Sequence, residues 1–345
     1  MKVRKEIADF DANGLSIHEG VFGLPHNEEE ANVVIFPVPW DVTSSYSAGS
    51  AEGPNAILNA SYQVDLYDPF VKDAWKRGLF MKPVSKLWHK RNTQYRVFAE
   101  KHIRALEKGK SELSKASLKS VNQRCEELRQ WVNEETTSLL AEDKLVVLLG
   151  GDHSTPLGFV QALAEKHKTF TVLQIDAHAD LRVAYEDFVH SHASIMHNIL
   201  ESCPGASLTQ VGTRDFCEAE KKYMDSDKRI STFYDRDLKS ETYSGKTWEN
   251  QTQDILKTLG DNVYISFDID GLDPKLCPNT GTPVPGGFEF EQIMYLFEAL
   301  VKSGKTIIGA DLNEVSPGND EWDANVGARI LFRLCNLLGK SQGRI

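Results

Sequence analysis

An α/β fold built on a mostly parallel sheet follows from three features of the 345-residue sequence. Short apolar runs recur along it, helix-like stretches separate them, and no long Gly/Ser/Pro linker, internal repeat or low-complexity tract divides it. The runs are VVIFPV (33–38), LVVLLG (145–150), TFTVLQI (169–175), SLTQVG (207–212), VYISFDI (263–269) and TIIGADL (306–312). Strands buried on both faces have this near-continuous apolar character, and their alternation with helices implies right-handed parallel crossovers.

Taken in order, residues 1–30 are expected to form an amino-terminal arm and residues 31–345 a single domain. The stretch around 95–143 is polar, charged and helix-favouring, so it should pack as helices outside the sheet. Farther on, FEQIMYLFEALVKSG places Ile293, Leu296, Phe297, Leu300 and Val301 at helical spacing, with Gly304 where a helix ends. A composition of 41% hydrophobic and 26% charged residues excludes disordered and collagenous classes. The net charge of −11 argues against nucleic-acid and membrane-surface partners. No apolar run approaches the ~20 residues that span a bilayer, and the MKVRKEIADFDANG start turns acidic where a signal peptide would turn apolar. Five widely spaced cysteines without a Cys-x-x-Cys pair point to reduced thiols in the cytoplasm.

Three of the strands end in metal-ligand residues: Gly151-Asp152-His153-Ser154, Asp176-Ala-His178-Ala-Asp180 and Asp268-Ile-Asp270-Gly-Leu-Asp273-Pro274. In an extended chain alternate side chains share a face, so Asp176, His178 and Asp180 should point together, as should Asp268 and Asp270. Ligands bind at the carboxyl ends of strands in open parallel sheets. Four carboxylates gathered there are costly unless cations neutralise them. Their charge matches two divalent ions, and Asp and His ligands without thiolate suit manganese(II), with nickel, cobalt, iron or zinc as alternatives. Any one cluster could equally be a loop of Asp caps and Asx-turns; three at three strand ends argue against that.

These motifs resemble the three signatures of the arginase/agmatinase (ureohydrolase) family. The resemblance runs from about residue 31 to the carboxyl end and includes Pro39-Trp-Asp-Val-Thr43, Gly53-Pro54, Gly281-Thr-Pro283 and Asn313-Glu314-Val315-Ser316-Pro317. It implies a three-layer α/β/α domain, two manganese(II) ions per chain, and a homotrimer or homohexamer. Matched residue by residue, one metal would take His153, Asp176, Asp180 and Asp268, and the other Asp176, His178, Asp268 and Asp270. Asp180 is also counted among the catalytic residues. Glu314, just past an apolar strand, is implied to hold a guanidinium through a charge-assisted pair, unless it is a surface residue of a turn. His192 is implied to pass a proton to the leaving amine, the bland alternative being a solvated helix start. His190 and His197 are expected to have no role, and Asp152 and Asp273 to be supporting or turn residues. The polar stretch around 95–130 is longer than the family leads one to expect and carries no motif.

The implied reaction releases urea from a guanidino substrate, or an amide from a formimino one. Arg182 stands where arginases have an Asn for the α-carboxylate, and Cys217 where they have an acid for the α-amino group. Asp180-Leu-Arg182-x-x-Tyr185 is most similar to agmatinases, so the expected reaction is agmatine to putrescine and urea. Formiminoglutamase, guanidinobutyrase, guanidine hydrolase and arginase activities are the alternatives within the family. A pairing of Arg182 with Glu186 on the rim would leave room for agmatine, whereas a free Arg182 would favour a carboxylate tail. A metallophosphoesterase is disfavoured because the expected Gly-Asn-His-Asp/Glu motif is missing, and a catalytically silent binding protein because all six ligands are present.

Overall fold

The computed structural model of the chain describes residues 7, 9–16 and 19–344. Eight parallel strands form one sheet: β1 (Val33–Pro37), β2 (Leu79–Met81), β3 (Leu145–Leu149), β4 (Phe170–Ile175), β5 (Ala206–Val211), β6 (Ile230–Phe233), β7 (Asn262–Asp268) and β8 (Thr306–Asn313), in the order β2-β1-β3-β8-β7-β4-β5-β6. The helices are α1 (Gly53–Ser61), α2 (Lys86–Glu107), α3 (Lys115–Ala141), α4 (Leu157–Lys166), α5 (Ile195–Ser202), α6 (Glu218–Ser226), α7 (Asp235–Tyr243), α8 (Trp248–Lys257), α9 (Phe290–Lys302) and α10 (Trp322–Ser341).

Alternation along the strands divides the core into two layers. Val33 and Ile35 of β1, Val147 and Leu149 of β3, and Ile265 and Phe267 of β7 face one layer, closed by α8, α9 and α10. Val34, Phe36, Val146, Leu148 and Tyr264 face the other, closed by α2, α3, α4 and α5. Side chains standing to both sides of the sheet are the period-two geometry of a strand, and helices on both faces are what a parallel sheet requires. The outcome is a three-layer α/β/α architecture.

Two edge strands, β2 and β6, were not expected from the sequence. Leu79-Phe-Met81 is too short to read as a strand, and Ile230-Ser-Thr-Phe233 is partly exposed at every position. An edge strand with one open side needs neither length nor continuous apolarity.

The polar stretch expected around 95–143 corresponds to α2 and α3, which form an antiparallel hairpin joined through a short turn at Ser111–Ser114. Its inner face packs on the sheet through aromatic contacts: Trp131 lies 5.0 Å from the Phe36 ring and 5.3 Å from Trp88, which in turn lies 5.9 Å from Trp40. The amino-terminal arm expected over residues 1–30 lies partly outside the described residues; within it, Val21, Phe22 and Leu24 are buried in the main core.

Where β3 leaves the sheet, Gly150 and Gly151 run directly against neighbouring chain. A Cβ on Gly151 would stand 2.0 Å from the carbonyl oxygen of Trp40, and the Gly151 carbonyl accepts the amide of Glu314. This packing seats His153 against the end of β8. Gly151→Ala is therefore expected to cost at least about 1–3 kcal/mol, the scale of overpacking, read as a fall in thermal midpoint. An unchanged midpoint would show that the β3 exit is not closely packed.

Candidate metal centre

The strand order places β3, β8, β7 and β4 side by side, so the segments leaving them share the carboxyl edge of the sheet. His153 follows β3, Glu314 follows β8, Asp268 ends β7 with Asp270 in the next turn, and Asp176, His178 and Asp180 follow β4. The Asp176–Asp180 motif does not lie on an extended strand, contrary to the alternation expected. β4 stops at Ile175, and Asp180 sits in the left-handed region at φ 54°. The bend turns Asp180 towards His153 while His178 turns towards Asp270.

Two groups of ligand atoms result. His153 Nδ1 lies 3.0 Å from Asp176 Oδ2, 3.1 Å from Asp180 Oδ2 and 3.3 Å from Asp268 Oδ2. His178 Nδ1 lies 3.0 Å from Asp270 Oδ2 and 3.6 Å from Asp176 Oδ1. Ligand atoms of His153, Asp176 and Asp268 fall within 4.8 Å of one another, as do those of Asp176, His178 and Asp270, so Asp176 belongs to both groups. All six residues are buried except His178, which is half-buried. His153 Nε2 is occupied by the Ser266 hydroxyl at 2.9 Å, which leaves Nδ1, buried and without a hydrogen-bond partner, aimed at three carboxylates. Asp176 Oδ1 accepts the His178 amide at 2.6 Å, Asp268 Oδ1 that of Asp270 at 2.9 Å, and Asp270 Oδ1 that of Ala177 at 3.0 Å. One oxygen of each of these carboxylates is thus fixed by backbone, and the other points inward.

The clustered acids and imidazoles shift one another strongly. Burial, together with Asp270 and Asp176, pushes the Asp268 carboxyl well above the usual carboxylate range. Burial and Asp176 push Asp180 up to about 6. Burial opposes the charge on both imidazoles, but facing carboxylates outweigh it: Asp176, Asp180 and Asp268 raise His153, and Asp270 and Asp176 raise His178. Burial would raise Asp176, but the facing imidazoles of His153 and His178 outweigh it and move it down. The raised carboxyls and imidazoles are those of a cluster that takes up protons unless cations neutralise it. Oxygen and imidazole donors of this number and geometry fit divalent ions in their place.

Around this centre is a cleft lined by Ser45, Arg182, Tyr185, His192, Asp215, Glu220, Thr282 and Glu314, with a volume of about 160 Å³. Glu314, buried and at φ 61°, accepts the His153 amide at 2.9 Å and lies 3.6 Å from His192 Nδ1. His192 is largely enclosed: its amide donates to Thr43 Oγ1 at 3.1 Å, and its Nε2 accepts the Ser45 amide at 3.3 Å. It sits in the turn before α5, inside the cleft and not on a solvated face. Asp152 is buried beneath, accepting from Thr43 Oγ1 and the Ser154 amide. Asp273 accepts the Lys275 amide in a turn. His190 meets Glu126, and His197 packs against Tyr223; neither lines the cleft.

Arg182 does not pair with Glu186. Its Nε is 3.6 Å from Glu220 Oε2, and its guanidinium lies over the Tyr185 ring at 4.6 Å. Glu220 was missed in the sequence, where Cys217 stood at the position matched to an acid. Cys217 is the N-cap of α6, and Glu220 lies in that helix's first turn, where its carboxylate accepts the amides of Cys217 and Leu181. The cue available was an acidic residue three positions after a helix start, which folds back to the cap.

A family model described as the arginase family matches residues 31–336. The chain belongs to the arginase family. It is 33% identical to an N(1)-aminopropylagmatine ureohydrolase of Thermus thermophilus, over 91% of this chain and 93% of that one. An agmatinase of Halalkalibacterium halodurans is 28% identical over the same shares. The agmatine ureohydrolase structure of Thermoplasma volcanium superposes with a TM-score of 0.71, at 22% identity and 97% coverage of each chain, and so shares the fold. This arginase-family chain is a ureohydrolase, a hydrolase of linear amidines. Among the described residues, no helix is long and apolar enough to cross a membrane.

Metal uptake by the metal-free ureohydrolase is expected to be pH-dependent with a definite sign. Asp180 and Asp268 must lose their protons, as must His153 and His178, so binding should release protons and weaken as pH falls. The weakening starts above 6.5, where the raised imidazoles protonate, and goes on through about 6 for Asp180. Calorimetric titration of manganese(II) in buffers of different ionisation enthalpy measures both effects. Affinity that stays constant from pH 5 to pH 8 would contradict the ligand assignment.

Proposed function

We propose that this ureohydrolase holds two manganese(II) ions and hydrolyses agmatine to putrescine and urea. The observation that carries the reading is the convergence of four buried aspartates and two histidines beneath a cleft walled by His192, Glu314 and Glu220. His153, Asp176, Asp180 and Asp268 would hold one ion, and Asp176, His178, Asp268 and Asp270 the other. Bound there, such ions supply Lewis-acid activation of water, lowering its pKa towards neutrality.

The chain's own groups supply the rest. Glu314 presents a buried carboxylate oxygen to the guanidinium, a charge-assisted interaction that positions the planar group over the centre. Asp180, whose carboxylate lies at the centre beside His153, would accept the proton of the attacking water. Burial opposes a charged His192, but Glu314, Asp152 and Asp180 outweigh it and raise its pKa, which favours the protonated form that a proton donor needs. From inside the cleft it delivers a proton to the departing amine.

At the tail end, Asp215 offers a carboxylate to a distal ammonium, and Glu220, held by the Cys217 and Leu181 amides and by Arg182, adds negative charge to the same wall. Arg182 is drawn to Glu220 and stacked on Tyr185, which leaves its charge partly satisfied and disfavours substrates that end in a carboxylate. These two wall acids also favour a second reading, a longer cationic tail such as that of N(1)-aminopropylagmatine, the compound in the Thermus relative's name. The reading extends to a cytoplasmic homotrimer or homohexamer, measurable by light scattering.

Asp268→Ala is expected to lose most bound metal and nearly all urea release while still folding; fully active protein carrying one ion or none would overturn the two-ion reading. His192→Asn should lower kcat by ~10²–10⁴-fold at unchanged metal content, and wild-type turnover would remove His192 from the chemistry. Values of kcat/KM for agmatine, N(1)-aminopropylagmatine, arginine, 4-guanidinobutyrate, guanidine and formiminoglutamate, measured together, decide the substrate. A preference for arginine or for either carboxylate compound would contradict the amine-tail assignment.

A further inference from the structure

The α2–α3 hairpin carries no motif, yet its inner face touches both loops that wall the cleft. One is the segment from Arg182 to His192. Three of its non-glycine residues, Ala184, Glu186 and Asp187, have φ of 45°, 54° and 65°, the left-handed region that side chains disfavour. Within it, the Asp187 and Phe188 amides close local turns on the carbonyls of Ala184 and Tyr185. Such turns alone do not select a strained conformation, so the surroundings must hold it.

The hairpin supplies the hold. Asn122 of α3 makes a two-point clamp: its Nδ2 donates to the Asp187 carbonyl at 3.1 Å, and its Oδ1 accepts the Val189 amide at 3.0 Å. Glu126, one turn farther, reaches His190 Nε2 at 3.1 Å. From α2, buried His102 places Nε2 3.2 Å from Asp187 Oδ2 and packs edge-on against Phe188, with Nδ1 on the Ser114 hydroxyl in the turn that joins the helices. The same helix grips the second wall. Asn92 exchanges two hydrogen bonds with Asp41, and Arg96 donates to the carbonyls of Val42 and Ser44, one residue from Ser45 in the cleft.

We propose that the hairpin is a positioning element for substrate recognition, with Asn122 as its key residue. By fixing the Asp187–Val189 backbone, Asn122 sets where Tyr185, and Arg182 stacked upon it, stand at the tail end of the cleft. Asn122 touches no reacting atom; it acts through the loop. The kinetic consequence rests on the amine-tail reading above, whereas the structural consequence does not.

The test compares metal-loaded wild type with Asn122→Ala, and with Lys108→Ala on the hairpin's exposed side as a control. Alanine is a strong helix former, so the variant should fold. Hydrogen–deuterium exchange is expected to quicken across residues 184–190 and to stay unchanged in β3, β4, β7 and β8. KM for agmatine should rise roughly tenfold with kcat within about twofold, the pattern of lost binding. Lys108→Ala should alter neither. Unchanged exchange at 184–190 would overturn the proposal, as would exchange rising throughout the sheet with a lower thermal midpoint, which marks a merely structural role. A fall in kcat at constant KM would also overturn it. If the wild type hydrolyses no guanidino amine, the substrate assignment fails while the exchange result still decides the clamp.

Discussion

Four aspartates with at most a few per cent of their surface exposed, sharing a volume a few ångströms across with two imidazoles, form the constraint around which this protein is organised. Ionised carboxylates at such burial are unfavourable without compensating cations or fixed donors. The chain supplies some of the compensation as backbone amides: those of Ala177, His178 and Asp270 each end on one oxygen of a carboxylate in the cluster. Both non-glycine residues at the centre that adopt positive φ, Asp180 and Glu314, contribute carboxylates to it. Strain placed where side chains converge is affordable only because the parallel sheet beneath is packed on both faces, and this is the pattern found at functional sites.

From that centre the surrounding chemistry follows in layers. Behind it, Ser266 occupies His153 Nε2 and is itself held by Asp311, so the imidazole presents Nδ1 inward. In front, Glu314 links the centre to the cleft, since one of its oxygens accepts the His153 amide and faces His192. Farther out, Glu220 anchors Arg182 and the start of α6. The excess of acid over base in the whole chain favours encounter with cationic amines over anionic ligands, in keeping with an acidic wall at the tail end of the cleft.

Much of this was readable from the sequence, for reasons that differ between elements. The six apolar runs became β1, β3, β4, β5, β7 and β8 because central strands of a parallel sheet are buried on both faces. β2 and β6 escaped notice because edge strands do not need that pattern. The ligand types were legible as motifs, but their orientation was not. Strand alternation sent Asp176, His178 and Asp180 to one face, whereas the chain bends at Asp180 and splits them between two groups. Glu220 and the partner of Arg182 depend on how α6 folds back to the site, a long-range contact that no local spacing encodes. The hairpin was legible as helix, but its grip on the 184–190 segment was not, because Asn122 and His102 are ordinary residues in a polar stretch.

We propose that one carboxylate cage, with Asp176 shared between its halves, holds two cations close enough to interact. Electron paramagnetic resonance of the protein loaded with two equivalents of manganese(II) tests it most directly. A spectrum of spin-coupled ions is expected, reverting to uncoupled or lost signal in Asp176→Ala. A spectrum of isolated manganese(II) at full loading of the unaltered protein would contradict the claim.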